Sequence, residues 1–400
     1  MFIRTLFIFG QGKKIRSLYI LEMTPIATDN LNNLKLLTSI IKEDLQGTKG
    51  CLERGNFYFG AFNDFANNHK LSGYLYALLN KSCLQHLFPG DFIIGLKSSY
   101  LRQWSANERI MKELESLNEL LVNSGHEAIF LKGLFLAKRF YGGIDRRHSG
   151  DVDILIKKKD IYKIDNLLRK NGYFPLSTIA LNKRLNVFFT HEFLYQKKGF
   201  FWEVHWVLAN HPSFRIDYRK VWEEKQKFIL NGKIYYILSP EYELTTQVLA
   251  VFMDMVMVSK PFKSLVDVYT ILKSRINKDI DWEKFFAKRS EEGLFLISLN
   301  VLEMVLGLFN CYPEFAQLSA YISQNRRYLI CKELEEKQDL LFNLSLGFRN
   351  KVWLGSKNKL WVMKLYQASR IKYFSWASLF FIFRSMLNLR RYWHRVIYKK

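Results

Sequence analysis

Proline is scarce in this chain, at 7 of 400 residues, which argues against long disordered linkers. Cysteine is scarcer still. The four, Cys51, Cys83, Cys311 and Cys331, lie far apart, with no C-x-x-C pair and no Cys/His cluster. Neither a disulfide framework nor a zinc site is expected, and reduced thiols in a cytoplasmic protein are the simplest reading. Long apolar runs are lacking too. The opening MFIRTLFIFGQGKKIRSLYI has a short apolar stretch broken by Gly10 and Gln11 and no small-residue cleavage site. It is a poor signal peptide and too short to span a bilayer, and a start at Met23 is the alternative reading. No internal repeat or low-complexity segment is visible. Acidic residues stop at Asp339, and from Arg349 to Lys400 there are 13 Lys or Arg and no acid.

What is present points to a folded, helix-rich protein. Apolar residues make up 49% and aromatics 16%, ample material for the cores of two or three packed units. The net charge of +23 favours anionic partners: nucleotides, nucleic acid or an acidic membrane surface. Much of it sits in the tail, residues 359–400, where basic residues interleave with Trp361, Tyr366, Tyr373, Phe374, Trp376, Tyr392 and Trp393. That pattern suits an interfacial helix on an anionic membrane, at the inner face, or a packed terminal helix with a solvated basic face; nucleic-acid binding is less favoured.

Periodicity divides the chain in three. Residues 1–125 read as a helical region, with Leu36, Leu37, Ile40, Ile41 and Leu45, then Met111, Leu114, Leu117, Leu120 and Leu121, at helical spacing. Residues 126–238 read as a small α/β core: strands over Ala128–Leu131 and Asp151–Ile156, a helix over Lys157–Lys170, a hairpin of Phe188–Gln196 and Phe200–Leu208, and a strand over Lys233–Ile237. Ser239-Pro240-Glu241 opens the third region, 239–400, as an N-cap, a first-turn proline and an acid. The expected class is α+β, a small mixed sheet flanked by N-terminal and C-terminal helices.

Chemistry concentrates in the middle. Asp151 and Asp153 are two apart in a strand, so both carboxylates point to one face while Val152, Ile154 and Ile156 point to a core. Such a pair is costly unless a cation neutralises it, and Mg²⁺ favours one or two carboxylates plus substrate phosphates. Glu203 sits mid-strand in Phe201-Trp-Glu-Val-His-Trp206, where an acid is expensive unless paired or metal-bound. If its strand lies beside the first, the three carboxylates form a two-metal phosphoryl-transfer set. Leu131-Lys132-Gly133 ends a strand and starts a helix, a place where backbone can approach a phosphate. Lys132, Arg146 and Arg147 supply positive charge.

These residues, Leu131-Lys132-Gly133, Tyr141, Arg147, Asp151-Val152-Asp153-Ile154-Leu155 and Glu203-Val204-His205-Trp206, resemble the signature of the DNA-polymerase-β-like nucleotidyltransferase superfamily. More narrowly, they look like a family of bacterial nucleotidyltransferases whose acceptors are mostly unassigned. The match covers about 110 residues. The resemblance implies transfer of a nucleoside monophosphate from an NTP, with two ions, Mg²⁺ or Mn²⁺, held by Asp151, Asp153 and Glu203. Glu203 also helps deprotonate the acceptor, a sugar, lipid-linked or peptide hydroxyl or phosphate. Lys132, Gly133, Arg147 and Gly150 are implied as nucleotide contacts. One departure stands out: the broad superfamily has Gly or Ser after the glycine, and this chain has Leu134. The rival class is a nucleotide-binding or regulatory protein that keeps the fold without turnover.

Two histidines remain. His205 shares the face of Glu203, and a three-residue hairpin loop would set His191 directly across from it. Both are accessory candidates, with a structural histidine beside Trp206 as the other reading of His205. Asp267, an acid in an apolar helix, reads as a buried ion pair or cap rather than a substrate contact.

Overall fold

The computed structural model describes residues 25–54, 57–176, 187, 191–209, 214–256, 262–274 and 280–329. The basic aromatic tail and the first residues of the chain therefore lie outside the described residues. Among those described, no helix is long and apolar enough to cross a membrane.

The chain forms a mixed seven-stranded sheet with helices on both faces, the α+β class its pattern predicts. The strands are β1 (Ala128–Leu131), β2 (Asp151–Ile156), β3 (Phe174–Pro175), β4 (Glu192–Lys197), β5 (Phe200–His205), β6 (Gln226–Leu230) and β7 (Lys233–Ile237). Their order across the sheet is β3-β4-β5-β2-β1-β7-β6. The central β2 runs antiparallel to β1 and parallel to β5. The short β3 and the edge strand β6 carry no strong sequence signal. The helix expected around Met111–Leu121 is the second half of a 34-residue helix, Gly90–Asn123.

Register sorts the side chains into two cores. Val152, Ile154 and Ile156 of β2, with Trp202 and Val204 of β5, face Ile110, Met111, Leu114, Leu117 and Leu121 of the long helix and Ile161, Ile164 and Leu168 of the Ile161–Lys170 helix. The opposite face contributes Ile129, Leu131 and Leu155 to a larger core shared by the N-terminal helices and the helices after Pro240. The helical regions at the two ends of the chain thus pack together over one face of the sheet. Lys273 Nζ lies 3.5 Å from Glu43 Oε1 between those two regions, and Arg139 Nη1, from the segment after β1, lies 3.3 Å from Glu243 Oε2 of the helix after Pro240.

The hairpin differs from the expected register. β4 and β5 are joined by two residues, Lys198 and Gly199, both at positive φ (49° and 82°), as a tight primed turn requires. A two-residue loop pairs Glu192 with His205 and Leu194 with Glu203. His191 therefore lies one residue short of the position opposite His205, and Glu192 takes its place.

Candidate active site

The site sits on the sheet face that meets the larger core, at the end where that core stops. Parallel pairing of β2 and β5 sets Asp153 beside Glu203 and Asp151 beside Phe201. Across four strands, Leu131, Asp153, Glu203 and Leu194 form one row, and Ile129, Leu155, His205 and Glu192 form the row beneath. Asp151, Asp153 and Glu203 converge as the sequence spacing predicts, and Glu192 joins them unannounced.

Asp153 is 4% exposed and carries the densest set of contacts. His205 Nε2 donates to its Oδ1 at 3.0 Å, and Lys132 Nζ lies 3.9 Å from the same oxygen. Burial alone would raise this carboxyl, but Lys132 and His205 outweigh it and hold the group well below the usual carboxylate range. Asp151, at the cleft mouth, is shifted the other way, by desolvation and by the neighbouring Asp153 charge. Glu203 accepts a hydrogen bond from His205, which lowers its pKa, yet burial and the Asp153 and Glu192 carboxylates push it up to about 7.

His205 is the hub. Its Nε2 also lies 3.5 Å from Glu203 Oε2, and its Nδ1 lies 3.3 Å from Glu192 Oε2. Burial disfavours the charged ring, but the hydrogen bonds to Asp153 and Glu203 push its pKa up to about 9. His191 reaches the same cluster indirectly, with Nε2 3.1 Å from Glu192 Oε2 and its ring centroid 5.7 Å from that of His205.

The β1–helix junction holds Lys132 and Gly133. Gly133 has φ +50°, and a Cβ there would meet nothing closer than 3.8 Å, so backbone conformation rather than space selects glycine. Lys132 itself has φ 45° and ψ −142°, a region that costs a non-glycine residue about 1–3 kcal/mol and tends to mark functional positions. Leu134 turns into the core beneath the sheet, 2% exposed.

Arg147 is held rather than free. Its guanidinium grips Asp267 with two bonds, Nε to Oδ1 at 2.7 Å and Nη2 to Oδ2 at 2.8 Å, and Nη1 reaches Gly133 O at 3.4 Å. Tyr141 donates to Asp267 Oδ1 at 2.5 Å. Asp267 is the buried ion pair its sequence context predicts, and it stays ionised because Arg147 overcomes the effect of burial. The loop before β2 is further tied to the long helix by Gln103 Nε2 on Asp145 O (2.6 Å) and Asn107 Nδ2 on Arg147 O (2.8 Å). Gly150 precedes Asp151 at an exposed position.

A cleft of about 610 Å³ opens over these groups, within the usual range of about 300–1,000 Å³ for small-molecule sites. Lys132, Gly133, Arg147, Asp151, Asp153 and Glu203 line its sheet side. The opposite wall brings residues with no sequence signal: Lys70, from the turn between the Phe59–Asn68 and Ser72–Lys81 helices, and Lys263, at the start of the Phe262–Lys273 helix. Burial, followed by repulsion from Arg147, pushes Lys263 down to about 8. His148 falls to about 4 through burial and the charges of Lys70, Lys263 and Arg147. The cleft lining is thus of mixed charge: Asp151, Asp153 and Glu203 with Lys132 and Arg147 on the sheet side, and Lys70 and Lys263 with Asp254 and Asp267 on the helical side.

Asp153 and Glu203 offer ligand oxygens within 4.8 Å of each other, with His205, which donates to Asp153, beside them; the carboxylates rather than the protonated ring are the donors that fit a divalent cation. Asp151 is raised by desolvation and then by Asp153, and Glu203, against the lowering His205 bond, by burial and then by Asp153 and Glu192; a cation would offset the like-charge part of both shifts.

No curated protein matches the chain. Among solved structures it is similar to an antigenic nucleotidyltransferase-like protein from Paracoccidioides brasiliensis, at 16% identity and a TM-score of 0.26, over 47% of this chain and 86% of that one. The model of a family described as uncharacterised nucleotidyltransferase matches residues 57–310, more than half of the 400 and inclusive of both walls of the cleft. The chain belongs to that nucleotidyltransferase family.

Proposed function

We propose that the protein transfers a nucleoside monophosphate from an NTP to an acceptor hydroxyl or phosphate, with release of pyrophosphate. The observation that carries this is the convergence of Asp151, Asp153 and Glu203 on two adjacent parallel strands, Asp153 in register with Glu203, in a cleft that Lys70, Lys132 and Lys263 also line. In the reaction the acceptor oxygen bonds to the α-phosphorus while the bond from that phosphorus to the bridging oxygen breaks, and pyrophosphate leaves with the electron pair. Asp151, Asp153 and Glu203 are the residues that would hold Mg²⁺ or Mn²⁺. When bound, such ions supply Lewis acidity at the reacting phosphate and neutralise the leaving group. Lys132 and His205 keep Asp153 ionised and oriented. In this reading Glu203, in the same row of the sheet as Asp153, takes the acceptor proton. Lys70 and Lys263 face the anionic end of the substrate.

Metal-dependent pyrophosphate release from a panel of NTPs, in the presence of candidate sugar, lipid-linked and peptide acceptors, tests the reading. Asp151→Asn and Asp153→Asn are expected to lower turnover at least about 10³-fold while leaving the fold intact. Undiminished turnover in both variants would sink the site assignment. Nucleotide binding with no turnover under any condition would favour a regulatory protein on the same fold.

A further inference from the structure

Between the Arg147–Asp267 lock and the catalytic strand lies Ser149, a residue to which the carboxylate chemistry gives no role. It is 4% exposed, and its Oγ is buried with no hydrogen-bond partner among the described residues. Other buried hydroxyls of the described residues, Ser298 Oγ among them, are also unpartnered, and what sets Ser149 apart is that it lines the cleft. Ser149 lines the cleft, and its Oγ lies 3.8 Å from where a Cβ on Gly133 would stand. The hydroxyl thus sits beside the β1–helix junction, two residues before Asp151, in the cleft lining.

The surroundings select the ligand. The hydroxyl shares the cleft lining with Lys70, Lys132 and Lys263, and with Arg147, whose charge Asp267 already meets; burial and then Lys70, Lys263 and Arg147 depress the neighbouring His148. An anionic oxygen entering there gains the field of the cations and accepts the free O–H, whereas a cation or an apolar group gains neither. We propose that Ser149 is a substrate-contact residue that donates its hydroxyl hydrogen to a non-bridging phosphate oxygen of the bound nucleotide. This rests on the nucleotidyl-transfer reading for the identity of the ligand, but its own chemistry requires only a polyphosphate.

Calorimetric binding of the Mg²⁺ complexes of α,β-methylene NTP analogues, and of inorganic tripolyphosphate, to the full chain tests it alongside thermal unfolding of the free protein. Ser149→Ala is expected to weaken both probes about tenfold or more, the range for a lost hydrogen bond to a charged group. Its unfolding temperature should be unchanged or raised, because a buried unsatisfied hydroxyl has been removed. A purely structural serine behaves the opposite way. Unchanged affinity in Ser149→Ala overturns the inference, whether or not stability falls. If Ser149→Ala loses both stability and affinity, Ser149→Cys decides, since it keeps the volume and offers only a weak donor. Restored stability with weak binding supports the role, and restored binding overturns it. Failure of the wild type to bind either probe would count against the nucleotidyl-transfer reading itself, while wild-type binding that Ser149→Ala leaves intact removes only the Ser149 assignment.

Discussion

Removing one partner of the Arg147–Asp267 pair gives the sharpest test of how the site is built. Asp267 is 1% exposed and Arg147 6%, so neither charge has water to fall back on. Asp267→Ala takes away both guanidinium bonds and the Tyr141 acceptor at once. Breaking a buried pair from one side typically costs about 3–5 kcal/mol, because the remaining charge is stranded. At about 2–4 °C per kcal/mol for a domain of about 150–250 residues, that corresponds to a fall in Tm of about 6–20 °C. Urea unfolding read by tryptophan fluorescence and by far-ultraviolet circular dichroism measures the loss. The companion variant Arg147→Met with Asp267→Leu replaces both charges by apolar groups of similar length. It should recover most of the loss, since apolar replacement of a buried pair is often neutral or better. The double-mutant cycle should then show a coupling of at least about 2 kcal/mol. A cost for Asp267→Ala below about 1 kcal/mol, or strictly additive singles, would refute the claim that this pair locks the loop before β2 to the Phe262–Lys273 helix.

Two further outcomes follow from the same geometry. Lys263 has a folded pKa pushed down to about 8, below its unfolded value, so folding disfavours its charged form. Stability should therefore rise with pH from about 8 to about 10.4, and Lys263→Met should flatten that rise by roughly 1–3 kcal/mol, measured as urea midpoints across the window; parallel pH profiles for wild type and variant would count against it. Gly133→Ala places a Cβ on a residue at φ +50° without a clash, so strain alone should cost about 1 kcal/mol, read by thermal unfolding, and a larger loss would mean that packing matters there too.

The parts of the site visible in the sequence are those encoded by short-range period. Asp151 and Asp153 share a face because strand side chains alternate, and Gly133 marks a strand-to-helix junction because its φ admits little else. Glu203 stands out as an acid among large apolar neighbours. The hairpin shows where such reading stops. Lys197-Lys198-Gly199 announces a turn, but whether two or three residues form it decides which side chain faces His205, and the composition of the turn does not fix that count. Lys70 and Lys263 were invisible for a different reason. One lies in a turn between helices and the other begins a helix, and only packing of the two ends of the chain over a single sheet face brings them to the same cleft. Ser149 is an ordinary loop serine until burial leaves its hydroxyl without a partner.

The distribution of charge within the cleft explains why Asp151 and Glu203, rather than the better-buried Asp153, are where a cation would gain most. Lys132 and His205 already hold Asp153 ionised, so its carboxylate is ready to ligate but is the least in need of a further positive neighbour. Asp151 and Glu203 are both shifted upward, Asp151 by desolvation and then Asp153, Glu203 by burial and then Asp153 and Glu192 against the His205 bond. Protein groups alone therefore leave two of the three carboxylates under-compensated, at the side that opens to the cleft. A protein seeking only stability would have placed another lysine there. Lys70 and Lys263 line the same cleft of about 610 Å³, Lys263 within the field of Asp267 and Asp151. In the proposed reaction, a nucleoside triphosphate that brings its own divalent cations would offset the crowded charge on Asp151 and Glu203.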